Sequence, residues 1–466
     1  MTDPYRQFVM HKLSTVPPTG LDEFILPGGL FEHQEALTRW ALRRGRCAIF
    51  ADTGLGKSRM QLAWADAIYR HTHKSVLILA PLAVAAQTVG EGAQMGISVN
   101  HCRDGSQVEP GITITNYDRM HRFDASRFGA VVLDESSIIK HHDSKTLRIL
   151  LDTFGQTPFK LCATATPAPN DWTELGTHAE FLGVCTQAEM LAEYFLHDGG
   201  ETQTWRLKKH ARGQFWRWVA SWAAMVRKPS DLGFDDSRYN LPPLRVMQHT
   251  TESAGHDPQA TGMLFALEAN TLSERRAARK GSLAGRVEAC AAMVNASREP
   301  WVVWCDLNAE GDALKAAIPD AVEIRGNDDP DTKEQRLRDF ADGKIRVLVS
   351  KPSICGWGLN WQHCAHIAFV GVTDSWEAYY QAVRRCWRFG QTSPVDVHIF
   401  ASDLEGAIVA NLKRKEADAN AMADALSAET HDAVQMAVLG SVRESNPYNP
   451  ERVAHIPAWL RTEEAA

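Results

Sequence analysis

No two of the nine cysteines stand in a CxxC pair, and none joins histidines in a ladder of zinc spacing. That pattern excludes a disulfide scaffold and a zinc ribbon, and leaves reduced thiols, mostly in the core, with no zinc expected. Long apolar runs are also missing. The longest, Val76–Ala86, is too short to cross a bilayer and contains Pro81, so no membrane role is expected. The opening MTDPYRQFVMHKL lacks the charged-then-apolar order of a secretion signal, and a cytoplasmic location, bacterial or in a phage-infected host, is the expectation. There is no excess of basic charge: 50 Lys and Arg against 57 Asp and Glu leave a formal −7. This excludes a uniformly basic surface but not a local basic groove. No internal repeat occurs.

What is present is a chain of 466 residues, 44% apolar and 23% charged, long enough for two or three domains. Short apolar runs alternate with helix-like stretches in the first part. Cys47–Phe50, Val76–Ala80, Thr113–Thr115, Val131–Leu133 and Lys160–Ala163 read as strands buried on both faces, the mark of a parallel sheet. Phe181–Asn240 has no strand rhythm and is rich in Trp, Arg and Lys, ending in Leu241-Pro242-Pro243. Gly262–Asn295 reads as helices. A second alternating region follows in Trp301–Cys305, Arg346–Ser350, Ile367–Val370 and Val395–Phe400.

Ala51–Ser58 reads ADTGLGKS, between an apolar strand and a helix. Such a turn presents backbone N–H groups and a helix N-terminus to a polyphosphate. Thr53, Gly54, Leu55 and Gly56 form the cradle, Lys57 reaches the β- and γ-phosphates, and Ser58 is a Mg²⁺ ligand. Ala51 stands where the strict pattern has Gly. Val131–Glu135 is an apolar strand ending in two carboxylates, and the carboxyl end of a parallel strand faces the ligand crevice. There Asp134 would hold Mg²⁺ through water and Glu135 would polarise the attacking water. Thr164–Pro167, TATP, ends the next strand, where its hydroxyls can bond both the acidic pair and a moving neighbour.

Gln381–Gln391 reads QAVRRCWRFGQ. A helix over Ala378–Phe389 places Gln381, Arg385 and Arg388 on one face. Arginines delivered from a second lobe stabilise charge on a transferring phosphoryl group, although a solvated basic helix is the commoner fate of such a run.

In this order the motifs resemble those of helicase superfamily two ATPases, the Swi/Snf-like group above all, with its short phage and prophage DEAD/DEAH-type members. The resemblance runs from about Leu30 to Lys415. It casts Phe31–Gln34 as the segment whose glutamine, Gln34, selects adenine. Ala80-Pro81-Leu82 and Thr115-Asn116-Tyr117 become strand-contacting motifs of the first lobe, and Gly356–Asn360, GWGLN, brings Gly358 and Asn360 to the nucleotide. It makes Arg385 and Arg388 finger arginines, with Gln381 beside them. Motif two ends in Ser136-Ser137 where relatives commonly carry Ala-His, and Arg384 stands where many carry Asp.

The fold the resemblance implies is α/β, two tandem RecA-like parallel-sheet lobes with a helical insertion and C-terminal helices. The divisions expected are 1–180 for the ATP-binding lobe, 181–240 for a helical protrusion and linker, 241–403 for the second lobe and 404–466 for helices and an irregular tail. The implied function is an ATP- and Mg²⁺-dependent DNA helicase or translocase, duplex favoured and single strand possible. An RNA helicase and a scaffold with a vestigial ATPase are the alternatives, and protein partners are unknown. The expected nucleic-acid track is Arg206, Lys208, Lys209, Arg212 and Arg217, interleaved with Trp205, Trp216, Trp218 and Trp222. The indoles can stack bases or form a buried stripe.

Overall fold

The computed structural model describes residues 16–81, 84–169, 171–197, 205–251, 281–355, 360–371, 375–402 and parts of 414–439. Two parallel sheets carry the architecture. The first contains β1 (Arg46–Ala51), β2 (Ser75–Ala80), β3 (Val99–His101), β4 (Ile112–Asn116), β5 (Phe128–Asp134), β6 (Phe159–Thr164) and β9 (Ala223–Val226), in the order β3-β4-β2-β5-β6-β1-β9. Between β6 and β9 in the chain, β7 (Phe195–His197) and β8 (Trp205–Leu207) form a small antiparallel ribbon. The second sheet takes β10 (Leu244–Thr251), β11 (Trp301–Trp304), β12 (Ala321–Ile324), β13 (Val347–Ser350), β14 (His366–Phe369) and β15 (Val395–Ser402), in the order β10-β15-β14-β11-β13-β12.

Each sheet is covered on both faces, as its continuous apolar runs require. Successive side chains of a strand point to opposite faces. Ala48, Phe50, Leu77, Leu79, Val131 and Leu133 accordingly enter one core, with the helices Lys145–Phe154 and Leu175–Leu182. Cys47, Ile49, Val76, Ile78, Ala130 and Val132 enter the other, with Glu32–Arg44 and Lys57–Thr72. The second sheet divides the same way: Val302, Trp304, Ile367 and Phe369 on one side, Trp301, Val303 and Ala368 on the other.

The segment 181–240 departs from its expected reading as a helical protrusion. β9 pairs in parallel with β1 and extends the first sheet past residue 180. The helix Arg212–Ala220 buries Phe215, Trp216 and Trp218 in the first lobe's core, and Trp222 lies there with them. AAMV is too short to show a strand period, which is why this element escaped the sequence reading. At the far end, Val434 and Val438 return to pack on the first lobe, and Gln435 donates to the Asp231 carbonyl at 3.3 Å.

Candidate active site between the lobes

The helix Lys57–Thr72 starts directly after β1, with Gly56 as its N-cap at φ +82°. Only glycine fits there: a Cβ on Gly56 would lie 2.2 Å from Gln34 Nε2, and one on Gly54, at φ +96°, would lie 3.0 Å from Phe389 Cβ. The loop therefore curves tightly and leaves the helix N-terminus open to an anion. Lys57 Nζ donates to the Ala51 carbonyl at 2.9 Å, folded back on its own loop. Gln34 holds that loop from outside, with Nε2 donating to the Leu55 carbonyl at 3.0 Å and Oε1 accepting from Phe31 N at 3.1 Å.

Asp134 ends β5 and Glu135 follows it in the left-handed region, at φ +51° and ψ +54°. A non-glycine residue there costs about 1–3 kcal/mol, and the observed contact that helps hold it is Thr164 Oγ1, which donates to Glu135 Oε2 at 3.3 Å. Gln61 Nε2 donates to Asp134 Oδ1 at 2.6 Å. Burial and the Glu135 carboxylate push the Asp134 carboxyl up; a bound cation would reverse that direction. Thr166 Oγ1 reaches Glu377 Oε1 of the second lobe at 3.5 Å, so the TATP turn touches both the acidic pair and the opposite lobe. Ser136 Oγ lies 3.1 Å from His178 Nε2. An imidazole thus stands beside the second motif although it comes from a later helix.

From the second lobe, the helix containing Gln381 ends at Val383, short of the expected Phe389, because the chain turns at Arg384 (ψ 0°). Arg385 and Arg388 reach the cleft from that turn. Gln381 does not line the cavity. Its Oε1 and carbonyl accept from Arg385 at 2.7 and 2.9 Å, which makes it the residue that orients Arg385. Burial and the neighbouring Arg385 charge bring Arg388 down to about 9.

These groups converge. A cavity of about 240 Å³ is lined by Gln34, Thr53, Gly54, Gly56, Lys57, Ser58, Asp134 and Glu135 from the first lobe, and by Asn360, Arg385, Arg388 and Phe389 from the second. Leu55 is buried behind the loop. Gly358 lies outside the described residues. Asn360 Oδ1 is buried with no hydrogen-bond partner among the described residues, an acceptor left for a bound group. The glycine cradle, this orphaned acceptor, the carboxylates of Asp134 and Glu135 and the cationic side chains of Lys57, Arg385 and Arg388 fit a nucleoside triphosphate with a divalent metal. Ser58 and Asp134 both line this cavity and would be the residues to hold such a metal.

Several participants were not foreseen. Asp52 accepts from Arg384 and from Tyr380 across the cleft. Phe31, Tyr239 and Phe389 form an aromatic cluster with centroids 5.0–6.5 Å apart. It joins the first lobe, the passage between lobes and the turn carrying the arginines, and nothing in local spacing could reveal it.

The residues of the expected nucleic-acid track lie along β8, the helix Arg212–Ala220 and the turn between them. None of its five residues lines a cleft cavity. Lys208 Nζ donates to the Ala192 and Glu193 carbonyls, capping the helix Gln187–Tyr194. Arg206, Lys209, Arg212 and Arg217 are exposed. Trp216, Trp218 and Trp222 are buried at 2%, 6% and 0% exposure and cannot stack bases.

Residues 294–390 match the helicase conserved C-terminal domain. No curated protein matches the chain. Among solved structures the chain is similar to the Sulfolobus solfataricus SWI2/SNF2 ATPase core in complex with dsDNA, at 15% identity and a TM-score of 0.41, covering 90% of this chain and 98% of that one. The matched helicase C-terminal domain thus lies in the second lobe, the lobe that brings Arg385 and Arg388 to the interlobe cavity around which the motifs gather.

Proposed function

We propose that this protein is an ATP-driven motor of the Swi/Snf-like kind that moves along DNA, duplex being the favoured track. The observation that carries this reading is the single cavity whose phosphate loop and acidic pair come from one lobe and whose arginines come from the other. Such a site is complete only when the lobes close, which couples hydrolysis to lobe movement. Lys57 swings from its loop carbonyl to the β- and γ-phosphates, and Glu135 orients the attacking water. Arg385 and Arg388 meet the charge that grows on the γ-phosphoryl oxygens. The divalent ion, when bound, neutralises phosphate charge.

The track is a second cavity, about 490 Å³, also lined from both lobes. Asn116, Ser137 and Lys140 contribute on one side, Lys333 and Ser353 on the other; the carboxylates Asp118, Glu334 and Glu377 also line it, Glu377 paired with Lys140, and Glu135 borders both this cavity and the nucleotide one. Arg325, Asn327 and Lys351 line an adjoining hollow. Hydroxyls, amides and ammonium groups on two moving bodies are what a phosphate backbone needs to be gripped and released in turn.

ATP hydrolysis measured with duplex DNA, single-stranded DNA and RNA tests the proposal, with Lys57→Ala as background. Stimulation by duplex DNA is expected, and Lys333→Glu should weaken it and flatten its salt dependence. Stimulation by RNA alone would replace the DNA reading. No turnover above background with any of the three would mark a vestigial ATPase. Triplex displacement beside strand unwinding then separates translocation from strand separation.

A further inference from the structure

On a different face of the second lobe, His366, Asp396 and His398 bring one potential ligand atom each within 4.8 Å of one another. Strand register assembles them. His366 on β14 pairs with Asp396 on β15, and Ala368 with His398, so the three side chains share one face of the sheet. Met247 of β10 pairs with His398 and His249 with Phe400, which puts His249 on that face too. His249 Nε2 lies 2.9 Å from His398 Nδ1.

The rings are held in place. Trp301 stacks on His366 at 4.9 Å with an interplanar angle of 19°, and Phe400 stacks on His249 at 4.8 Å. Arg245 grips Asp396 with bonds of 2.6 and 3.0 Å, fixing the carboxylate and leaving other lone-pair directions open. A separate observation points to a missing occupant. His366 Nδ1 is buried with no hydrogen-bond partner among the described residues, and Asp396 Oδ2, 3.9 Å away, is too far to serve. A ring nitrogen buried without a partner is costly, and a cation between it and the carboxylate removes that cost.

We infer that His366, Asp396 and His398 form a binding site for a borderline transition-metal dication, Zn²⁺ by preference. Two imidazoles and a carboxylate are a common zinc donor set, with a fourth position left for water. Ligands about 2.0–2.1 Å from a tetrahedral ion stand roughly 3.4 Å apart, so small side-chain rotations close the observed spread. His249 is the positioning residue: bonded to one nitrogen of His398, it leaves the other for the metal. His398 is buried, while His366 and Asp396 keep 26% and 15% side-chain exposure, enough for an ion to enter.

His366 and Asp396 stand at or near the amino ends of their strands, whereas the nucleotide cavity is lined at the carboxyl end of β5 and by segments that follow strands. The ion therefore takes no part in hydrolysis. It staples β14 to β15, and through the His249–His398 bond it steadies the edge strand β10, the first element after the passage between lobes. Local spacing gave no zinc ladder because the ligands meet only through pairing of separate strands.

The test uses the full chain, stripped with a chelator and titrated with Co²⁺ and then Zn²⁺. Saturable visible d–d absorption from Co²⁺, its displacement by Zn²⁺ and a rise in Tm are expected at one equivalent. His366→Gln and His398→Gln should each abolish the spectrum while circular dichroism stays native. His249→Ala should weaken binding about 10–100-fold. No Co²⁺ spectrum in the native chain, or one that both glutamine variants leave intact, overturns the site. None of these readouts depends on ATP or DNA.

Discussion

Arg384 of the second lobe donates to the Asp52 carboxylate of the phosphate loop at 2.7 Å, and Tyr380 donates to the other oxygen of that carboxylate, also at 2.7 Å. Burial alone would raise the Asp52 carboxyl, but the Arg384 charge and the Tyr380 hydroxyl hold it below its ordinary value. The pair is largely withdrawn from water, with side-chain exposures of 7% and 21%. It therefore links the loop that receives phosphate to the turn that delivers Arg385 and Arg388. Neither Asp52 nor Arg384 lines the nucleotide cavity.

Breaking this pair should act on turnover rather than on nucleotide affinity. Removing one partner of a buried ion pair costs about 3–5 kcal/mol when the other stays buried, and lobe opening relieves part of that. Asp52→Asn and Arg384→Ala are expected to lower kcat at least tenfold, with KM for ATP changing much less. The reciprocal exchange, Asp52→Arg with Arg384→Asp, should recover part of the loss. Steady-state hydrolysis of the four proteins decides it, and single variants with unchanged kcat would remove the coupling role.

Arg388→Ala and Lys57→Ala should each abolish hydrolysis, since a finger arginine contributes about 10³-fold or more. Arg388→Ala should still bind a fluorescent ATP analogue. Gln381→Ala should lower turnover less than Arg385→Ala, and the double variant should be no worse than Arg385→Ala alone, because Gln381 acts through Arg385. Near-native hydrolysis in Arg388→Ala would sink the finger assignment.

His178 gives the first lobe an acid-sensitive point. Burial holds its imidazole down at about 4, from an ordinary 6.5. Between those values the unfolded chain binds a proton that the folded chain does not, so this contribution to stability is lost as pH falls from 6.5 towards 4. The full loss is at most about 3 kcal/mol. Denaturant midpoints at pH 7, 6 and 5 should fall more steeply in the native protein than in His178→Gln. Parallel curves would exclude His178 as the source.

Trp216 should prove structural. It packs edge-on against Trp172 at 4.9 Å and Phe215 at 4.7 Å. Trp216→Ala should cost about 3–5 kcal/mol of stability. Trp216→Phe, at a smaller cost, should leave DNA stimulation of hydrolysis as it was. A stable Trp216→Phe protein that had lost DNA stimulation would return this indole to the track.

The parts of the fold legible beforehand were those with local signatures. The apolar runs at β1, β2, β5 and β6 and the glycine turn before Lys57 depend on neighbours in the chain, and they could be read from it. β9, β10 and β12 could not. AAMV and AVEI are too short to carry a period, and β10 has a half-exposed pattern. Within the site, Gly54, Lys57, Asp134, Glu135, Arg385 and Arg388 line one cavity, while Gln381 stands one shell back because its helix stops early. The Arg384–Asp52 pair and the aromatic cluster of Phe31, Tyr239 and Phe389 join residues far apart in the chain. Only the folded cleft reveals such contacts.

The placement of β9 has a consequence for how the protein is born. β1, which ends at the phosphate loop, has β6 on one side and β9 on the other, and Asp52 N donates to the Val226 carbonyl at 3.0 Å. A nascent chain that has released only its first 180 residues holds β1 as an open edge, with the pocket for Trp216, Trp218 and Trp222 unfilled. Such an edge invites pairing with other chains. The nucleotide-binding half can finish folding only after residue 226 clears the ribosome, and a pause in synthesis before that point should favour aggregation.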